Sequence, residues 1–148
     1  AYRVYDYSTG TSHMFIRTDG ECENTNNSYG QISDVKLKEN IVDANSQWDD
    51  IKALKVRNFN FKSSTGLPTH KQLGLVAQEA ENVCPGIVKT QPDLGPENED
   101  LGTTTKSIKY SVLYMKAIKA LQEAQERIEK LEQDNIALRA RVTNLEGN

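Results

Sequence analysis

The 148-residue sequence has few of the residues on which several common classes of protein depend. Its only cysteines, Cys22 and Cys84, are too few and too far apart for a disulfide framework or a cysteine-based zinc site. No apolar run approaches the ~18 residues of a membrane-spanning helix. The formal net charge of −3 opposes electrostatic binding to nucleic acid or anionic lipid. We therefore expect no metal, no cofactor, and neither nucleic acid nor membrane as a partner.

Apolar residues are also scarce. Hydrophobic residues make up 36% of the chain, charged residues 26%, and the mean hydropathy is −0.66. These values are polar for one compact globule, so we expect much of the chain to be extended and exposed to solvent. Composition predicts an α+β fold in three parts, residues 1–32, 33–106 and 107–148.

Residues 1–32 are rich in Tyr, Thr, Ser, Asn and Gly. Alternation predicts half-buried strands at residues 2–4 and 14–18, and turns at residues 8–10, 19–20 and 26–28. This part has too few apolar residues to fold alone. We interpret it as the C-terminal end of a longer β-rich protein.

Residues 33–106 read as a small mixed α/β domain with extended loops. Two short helices are predicted, at residues 48–54 with Ser46 as N-cap and at residues 78–83 before Pro85 and Gly86. Val56, Phe59 and Phe61 suggest a strand, and the change of parity near Asn58 suggests a bulge. Residues 73–76 suggest a buried strand. Residues 89–107 show almost no apolar periodicity and are predicted to form a long loop.

The clearest pattern is a heptad repeat in residues 107–146, which predicts one long helix. Its a positions are Leu121, Ile128, Asn135 and Val142, and its d positions are Ala124, Leu131, Leu138 and Leu145. The pairs formed between each g position and the next e position all have opposite charges: Arg127–Glu132, Asp134–Arg139 and Arg141–Glu146. Parallel, in-register helices require this arrangement, so we predict a parallel coiled coil.

The heptad repeat does not determine how many helices form the coiled coil. Ile or Val at a, Leu at d and one buried Asn favour two strands. Three strands remain an alternative, because Ala124 and the tyrosines upstream depart from a uniform zipper. Asn135 is expected to fix the register of the helices at some cost in stability.

Ser33 and Lys38 are the candidate chemical groups at the junction of the first two parts. A Ser followed five positions later by a Lys is by itself a weak signal, and solvated side chains are the commoner explanation. In a strand the two residues would lie on opposite faces, roughly 16 Å apart. Contact between them requires an intervening turn or a lysine from another chain.

Several sequence blocks carry a family resemblance. They are Ser33-Asp34-Val35-Lys36-Leu37-Lys38-Glu39-Asn40-Ile41, then Gly74-Leu75-Val76-Ala77-Gln78-Glu79 with Pro85, then Tyr110 and Ala117-Ile118 ahead of the coiled coil. Together they resemble the intramolecular chaperone domain, also called the S74 peptidase domain, which ends phage tailspikes, tail fibres, neck appendages and endosialidases. A relative occurs in a membrane-anchored myelin transcription factor.

The resemblance implies a folding device that is later discarded. Such a domain forms a homotrimer, holds the upstream chains in register while they wind into a triple β-helix, and then cuts itself off. It implies that residues 1–32 end the fibre, that residues 33–106 form the chaperone and self-cleaving core, and that residues 107–148 form the trimerisation helix. The expected location is a virion tail precursor made in the host cytoplasm, with the released domain absent from the mature virion or loosely attached to it.

The resemblance also implies a Ser–Lys dyad, with Ser33 as nucleophile and Lys38 as general base. A free lysine has a pKa near 10.4, so a lysine acting as a base near neutral pH needs desolvation or cationic neighbours. Lys36 is a candidate for the cationic neighbour, and a folded upstream segment is a candidate for the desolvation.

The scissile bond is left open by the residues themselves. Attack by Ser33 on the carbonyl of Ile32 passes through a five-membered ring, whereas attack on its own carbonyl needs a strained four-membered ring. The resemblance points instead to the Ser33–Asp34 bond, which suits a serine acting on a neighbouring chain. We favour the Ser33–Asp34 bond slightly.

Other candidates for chemistry are weaker. His13 and His70 are isolated, and Cys84 is expected to be a small buried hydrophobe. The acidic run at residues 97–100 lacks the spacing of an EF-hand and is expected to be solvated. Two alternatives to the self-cleaving chaperone remain, namely a passive oligomerisation stalk without chemistry and a Ser–Lys peptidase acting on other proteins.

Overall fold

A computed structural model describes residues 2–18 and 21–147. The chain forms two compact units that divide between Val42 and Asp43. The domain limits drawn from composition, at residues 32/33 and 106/107, stay predictions.

The first unit contains a three-stranded antiparallel meander of β1 (Tyr2–Asp6), β2 (Thr11–Ile16) and β3 (Cys22–Asn24), in that order. The strands predicted here are therefore present, although β2 starts earlier and ends before Thr18. Gly10, with a φ of 71°, lies in the predicted turn between β1 and β2. The turn expected at residues 19–20 falls outside the described residues. A 3₁₀ turn (Val35–Leu37) follows the meander.

The second unit has the element order α1 (Trp48–Ala53), β4 (Arg57–Phe59), β5 (Gln72–Gly74), α2 (Ala77–Val83), β6 (Val88–Leu94), β7 (Asp100–Ile108) and α3 (Tyr110–Glu146). β4 pairs with β5 and β6 pairs with β7, both antiparallel. The predicted fold class is confirmed: small antiparallel sheets accompany a long C-terminal helix.

The core of this unit is small. Ala80, Cys84 and Ile87 are buried at its centre. Partly buried apolar side chains pack around them, namely Leu54, Leu75, Val83, Val88, Ile108 and Leu113. Of the helices and strands of this unit named above, only β4 is not represented in or directly beside this cluster, since Leu54 directly follows α1, Leu75 directly follows β5 and Leu113 lies in α3.

The loop predicted for residues 89–107 is wrong, because these residues form the β6–β7 hairpin. Only Val88 and Ile108 at its base reach the core, so most of the side chains on both faces are exposed and show no apolar alternation. The hairpin is held by its backbone ladder and by side-chain bonds such as Thr103 Oγ1 to Asp93 Oδ2, at 2.7 Å.

Three smaller predictions also need correction. The N-cap of α1 is Gln47, whereas Ser46 accepts a long hydrogen bond from the Trp48 N–H at 3.4 Å. β4 ends at Phe59, and its pairing with β5 has a regular register without a bulge. Leu73 in β5 is exposed, since β5 packs only one of its faces.

α3 has 37 residues and is therefore about 55 Å long. Its first part contacts α1, and Ala120 is the one residue of the helix that is buried. Most of the apolar side chains further along it are exposed. Among the described residues, no helix has the length and apolar character needed to cross a membrane.

The Gly74–Glu79 block has a structural role. A Cβ at Gly74 would lie 2.9 Å from the Tyr110 hydroxyl and 3.2 Å from the Phe59 ring, so any larger residue would force these side chains to shift where β5 meets α3. Glu79 in α2 receives two hydrogen bonds from the Arg57 guanidinium, at 3.0 and 2.8 Å. This forked pair lowers the pKa of the Glu79 carboxyl and connects α2 to β4.

We predict that Gly74→Ala destabilises the second unit by about 1–3 kcal/mol, because the added methyl group collides with two aromatic side chains. Gly86→Ala is the matched control, since a Cβ there meets no atom within 4 Å. The control should be neutral or slightly stabilising. Urea unfolding followed by the fluorescence of Trp48 measures both variants, and equal stabilities would contradict the prediction.

Candidate functional site

The candidate site is built on the 3₁₀ turn that follows Ser33. Asp34 is its N-cap, and its side chain accepts a hydrogen bond from the Lys36 N–H at 3.0 Å. The turn closes through the Leu37 N–H to the Asp34 carbonyl, at 3.1 Å, and through the Lys38 N–H to the Val35 carbonyl, at 3.0 Å. Asp is among the residues that best satisfy free N–H groups at such a start, so the local sequence favours this turn.

The turn brings the two candidate side chains into contact. Lys38 Nζ donates a hydrogen bond to Ser33 Oγ, and the two atoms are 2.5 Å apart. An extended chain would hold these residues roughly 16 Å apart. The intervening turn that such contact requires is therefore present within one chain, and no lysine from a second chain is needed to form the pair.

The surroundings of the pair are open to solvent. All residues from 31 to 40 are exposed, including Ile32, which is 82% exposed. Lys36 Nζ lies 3.6 Å from Asp34 Oδ2. The negative charge of Asp34 therefore offsets the positive charge of Lys36, which was expected to repel a protonated Lys38. The arrangement supplies a hydroxyl and an amine in proton-transfer contact, but the single chain does not desolvate them.

The predicted coiled-coil residues form an exposed row along α3. The large apolar members are between 50% and 77% exposed, namely Leu121, Ile128, Leu131, Leu138, Val142 and Leu145. Asn135 Nδ2 donates to the Leu131 carbonyl of its own helix at 3.1 Å, and Ala124 is half-buried. We call this set, from Leu121 to Leu145, the seam.

α1 packs on a different face of α3. Lys116 Nζ donates to Asp50 Oδ2 at 2.7 Å and also to Gln47 Oε1. Glu123 accepts hydrogen bonds from Ser46 Oγ at 2.9 Å and from the Gln47 N–H at 3.2 Å. In the heptad frame Lys116 and Glu123 are c positions.

Two g positions of the heptad, Ala120 and Arg127, also lie on the face of α3 that contacts α1. Ala120 is 6% exposed beneath α1, and the Arg127 guanidinium lies 4.1 Å from the centre of the Trp48 ring. α1 therefore contacts α3 through c and g positions of its first turns, and the large apolar a and d residues of the seam stay exposed. The sequence did not predict this network, although Asp50 and Lys116 are an acid and a base on two predicted helices.

The remaining candidates behave as follows. Cys84 is 5% exposed in the core, as predicted, and burial raises the pKa of its thiol. His13 Nδ1 lies 3.4 Å from Thr25 Oγ1, and His70 is exposed. Residues 97–100 are exposed at the end of the β6–β7 hairpin. Within the described ranges, no group of three His, Cys, Asp or Glu side chains could hold a metal ion.

Residues 33–89 match the Peptidase S74 family, which is described as the chaperone of endosialidase. The match begins at Ser33, contains Lys38 and the Gly74–Glu79 block, and ends in β6, so that α3 lies outside it. The family resemblance seen in the sequence is confirmed over these residues, and it supports a chaperone role.

Proposed function

We propose that this chain, whose residues 33–89 match the S74 chaperone family, is an intramolecular chaperone that assembles an upstream phage tail fibre or spike and then releases itself. Assembly uses the seam of α3, and release uses Ser33 and Lys38. The observation that carries the proposal is the contact between Lys38 Nζ and Ser33 Oγ at 2.5 Å, at the first residues of the family match.

The exposed seam supports the assembly step. The Leu, Ile and Val side chains of the seam are at least half exposed in one chain, so a partner that covers them stabilises the complex. The opposite charges at the flanking positions select a parallel copy of the same helix. We propose three copies, as the family resemblance implies.

A parallel coiled coil would solve a folding problem for the upstream segment. Pairing between strands of separate chains is slow, because chain closure must occur before the contacts can stabilise it. Joining the chains at one end raises their effective concentration and sets their register in advance. The assembled helices would therefore act before the upstream β-structure forms.

The cleavage step requires Lys38 as a neutral amine. Ser33 Oγ attacks the carbonyl carbon of the scissile peptide while its proton moves to Lys38 Nζ, which gives a tetrahedral intermediate. Collapse of the intermediate breaks the C–N bond, and the proton on Lys38 passes to the departing amine. Water then hydrolyses the resulting ester and restores the Ser33 hydroxyl.

The scissile bond that we propose is Ser33–Asp34, attacked across chains. Attack by Ser33 on its own carbonyl would close a four-membered ring, so the carbonyl must come from a neighbouring copy. The Ser33–Lys38 contact forms within one chain. In this proposal one chain therefore supplies both side chains of the dyad, and a second chain supplies the carbonyl that is attacked. An assembled trimer brings both together.

Solvent exposure of the pair supports a timing mechanism. A lysine in water is protonated at neutral pH, and desolvation favours its neutral form. We propose that packing of the upstream segment over residues 33–38 supplies this desolvation, so that cleavage follows assembly.

A passive stalk is the second candidate, and the same exposure favours it. Ser33 and Lys38 in a fully solvated turn also suit a simple polar connection between two units. The stalk keeps the coiled coil and predicts no cleavage, so the two candidates differ in one measurable property.

We predict that the wild-type chain yields fragments 1–33 and 34–148 on a denaturing gel, whereas Ser33→Ala remains intact. Lys38→Ala should slow cleavage at least about 100-fold, because it removes the general base. Lys36→Ala is the control and should cut within a few-fold of wild type. Intact wild type would favour the stalk, whereas cleavage of Ser33→Ala at the normal rate would contradict the role of Ser33 as nucleophile. The first residue of the released fragment, Asp34 or Ser33, identifies the bond.

Asp34 is a positioning residue in this proposal. Asp34→Ala removes the cap of the 3₁₀ turn and should lower the cleavage rate by about 5-fold, equivalent to the ~1 kcal/mol of a typical cap. Asp34→Asn retains a capping oxygen and should restore most of the rate. If both variants cut at the same reduced rate, the charge of Asp34 matters and the cap does not.

Assembly should be required for cleavage. Ile128→Asp places a charge in the centre of the seam and should give monomers in sedimentation velocity, and these monomers should not cut. Glu129→Asp, on the adjacent exposed position, is the control and should assemble and cut like wild type. Rapid cleavage by a monomeric variant would contradict the timing mechanism.

A further inference from the structure

An apolar groove lies between α1 and α3, at the beginning of the seam. It has a volume of about 400 Å³ and is lined by Trp48, Ile51, Lys52, Ala117, Ala120 and Leu121. Lys52 is the one charged residue of the lining. A site for a small polar ligand would carry several convergent polar groups, so this groove is better suited to an apolar side chain.

The α3 residues of the groove have defined positions in the heptad repeat. Ala117 is a d position, Ala120 is a g position, and Leu121 is an a position. In a parallel coiled coil, the side chain at each a position enters a hole between four residues of the facing helix. These four are the residues at the d and g positions of the preceding heptad and at the a and d positions of the same heptad. Ala117, Ala120, Leu121 and Ala124 are the four residues of one such hole.

Alanine at three of the four positions changes the shape of this hole. The small side chain of Ala120 lets α1 approach α3, and Ala120 is consequently buried. Trp48 and Ile51 then stand beside the hole and supply the wall that larger residues of α3 would otherwise form. The hole is therefore built by two helices of one chain.

We propose that this groove receives the Leu121 side chain of a second copy of the chain. The occupant follows from the continuity of the groove with the seam, since Leu121 belongs to both, and from the self-complementary charges of the helix. Leu121 is 68% exposed in the single chain, so it is available to enter a neighbour's groove. The inference rests on the parallel assembly of the proposed function and adds α1 to its interface.

The consequence is a link between the fold of the second unit and its assembly. α1 is held on α3 by the contacts of Asp50 with Lys116 and of Ser46 and Gln47 with Glu123. A neighbour's Leu121 would reach Trp48 and Ile51 only when α1 is docked in this way. Chains with a misplaced α1 would therefore assemble less tightly than correctly folded chains.

Trp48 reports directly on this contact, because it is the only tryptophan of the chain. Across a dilution series, sedimentation velocity gives the fraction assembled, and Trp48 emission and acrylamide quenching give its exposure. We expect assembly to move the emission to shorter wavelength and to reduce quenching, with the same midpoint as sedimentation. An unchanged Trp48 signal in an assembled wild-type chain would overturn the inference and leave the coiled coil intact.

The matched pair of variants is Leu121→Ala and Val142→Ala, both at a positions of the seam. Each should weaken self-association by roughly 10- to 100-fold. At concentrations where both are assembled, Val142→Ala should retain the shift of Trp48 between monomer and assembly, and Leu121→Ala should lose most of it. Equal shifts in the two variants would contradict insertion of Leu121. A wild-type chain that stays monomeric would refute the proposed assembly itself.

Discussion

The packing of α1 against one face of α3 determines what the rest of α3 can do. Lys116, Ala120, Glu123 and Arg127 make this contact, and all four occupy c or g positions of the heptad. The large apolar residues at the a and d positions lie on the adjacent face and are exposed. The polar contacts fix α1 by hydrogen bonds of defined geometry, whereas the apolar seam is left for a partner. One face of the helix thus serves the fold of its own chain, and we propose that the next face serves assembly.

The two sites differ in how complete they are within a single chain. The turn over residues 33–38 already joins Ser33 to Lys38, because its hydrogen bonds are local and the Asp34 cap needs no tertiary support. The seam is incomplete, since its apolar side chains have no cover. In the proposed mechanism, the Ser33–Lys38 pair forms locally and its low-dielectric environment depends on assembly, which gives an order of events in which folding precedes cleavage.

Local signals in the sequence predicted most of the helices and the seam. The heptad of Leu121 to Leu145 and the short helix near Trp48 follow from side-chain periodicity, which is set within a few residues. The β6–β7 hairpin was not predictable in this way, because its threonines and acids face solvent on both sides and its pairing is held by the backbone. The sequence predicted contact between Ser33 and Lys38 only if a turn lies between them. Asp34 is a residue type that caps such turns, so the turn itself could have been predicted from the sequence.

Residues Gly74 and Glu79 show why motif residues need not be catalytic. Gly74 allows Tyr110 and Phe59 to meet over a strand, and Glu79 binds Arg57 through two hydrogen bonds. Both contacts join elements that are distant in sequence, and the Tyr110 contact reaches the first residue of α3. Gly74 of the Gly74–Glu79 block therefore positions the first residue of α3, and α1 positions the next turns of the same helix. The seam follows these turns. A shift of either contact would rotate the a and d positions relative to the rest of the chain. In the proposed assembly, the register would therefore depend on packing inside each chain.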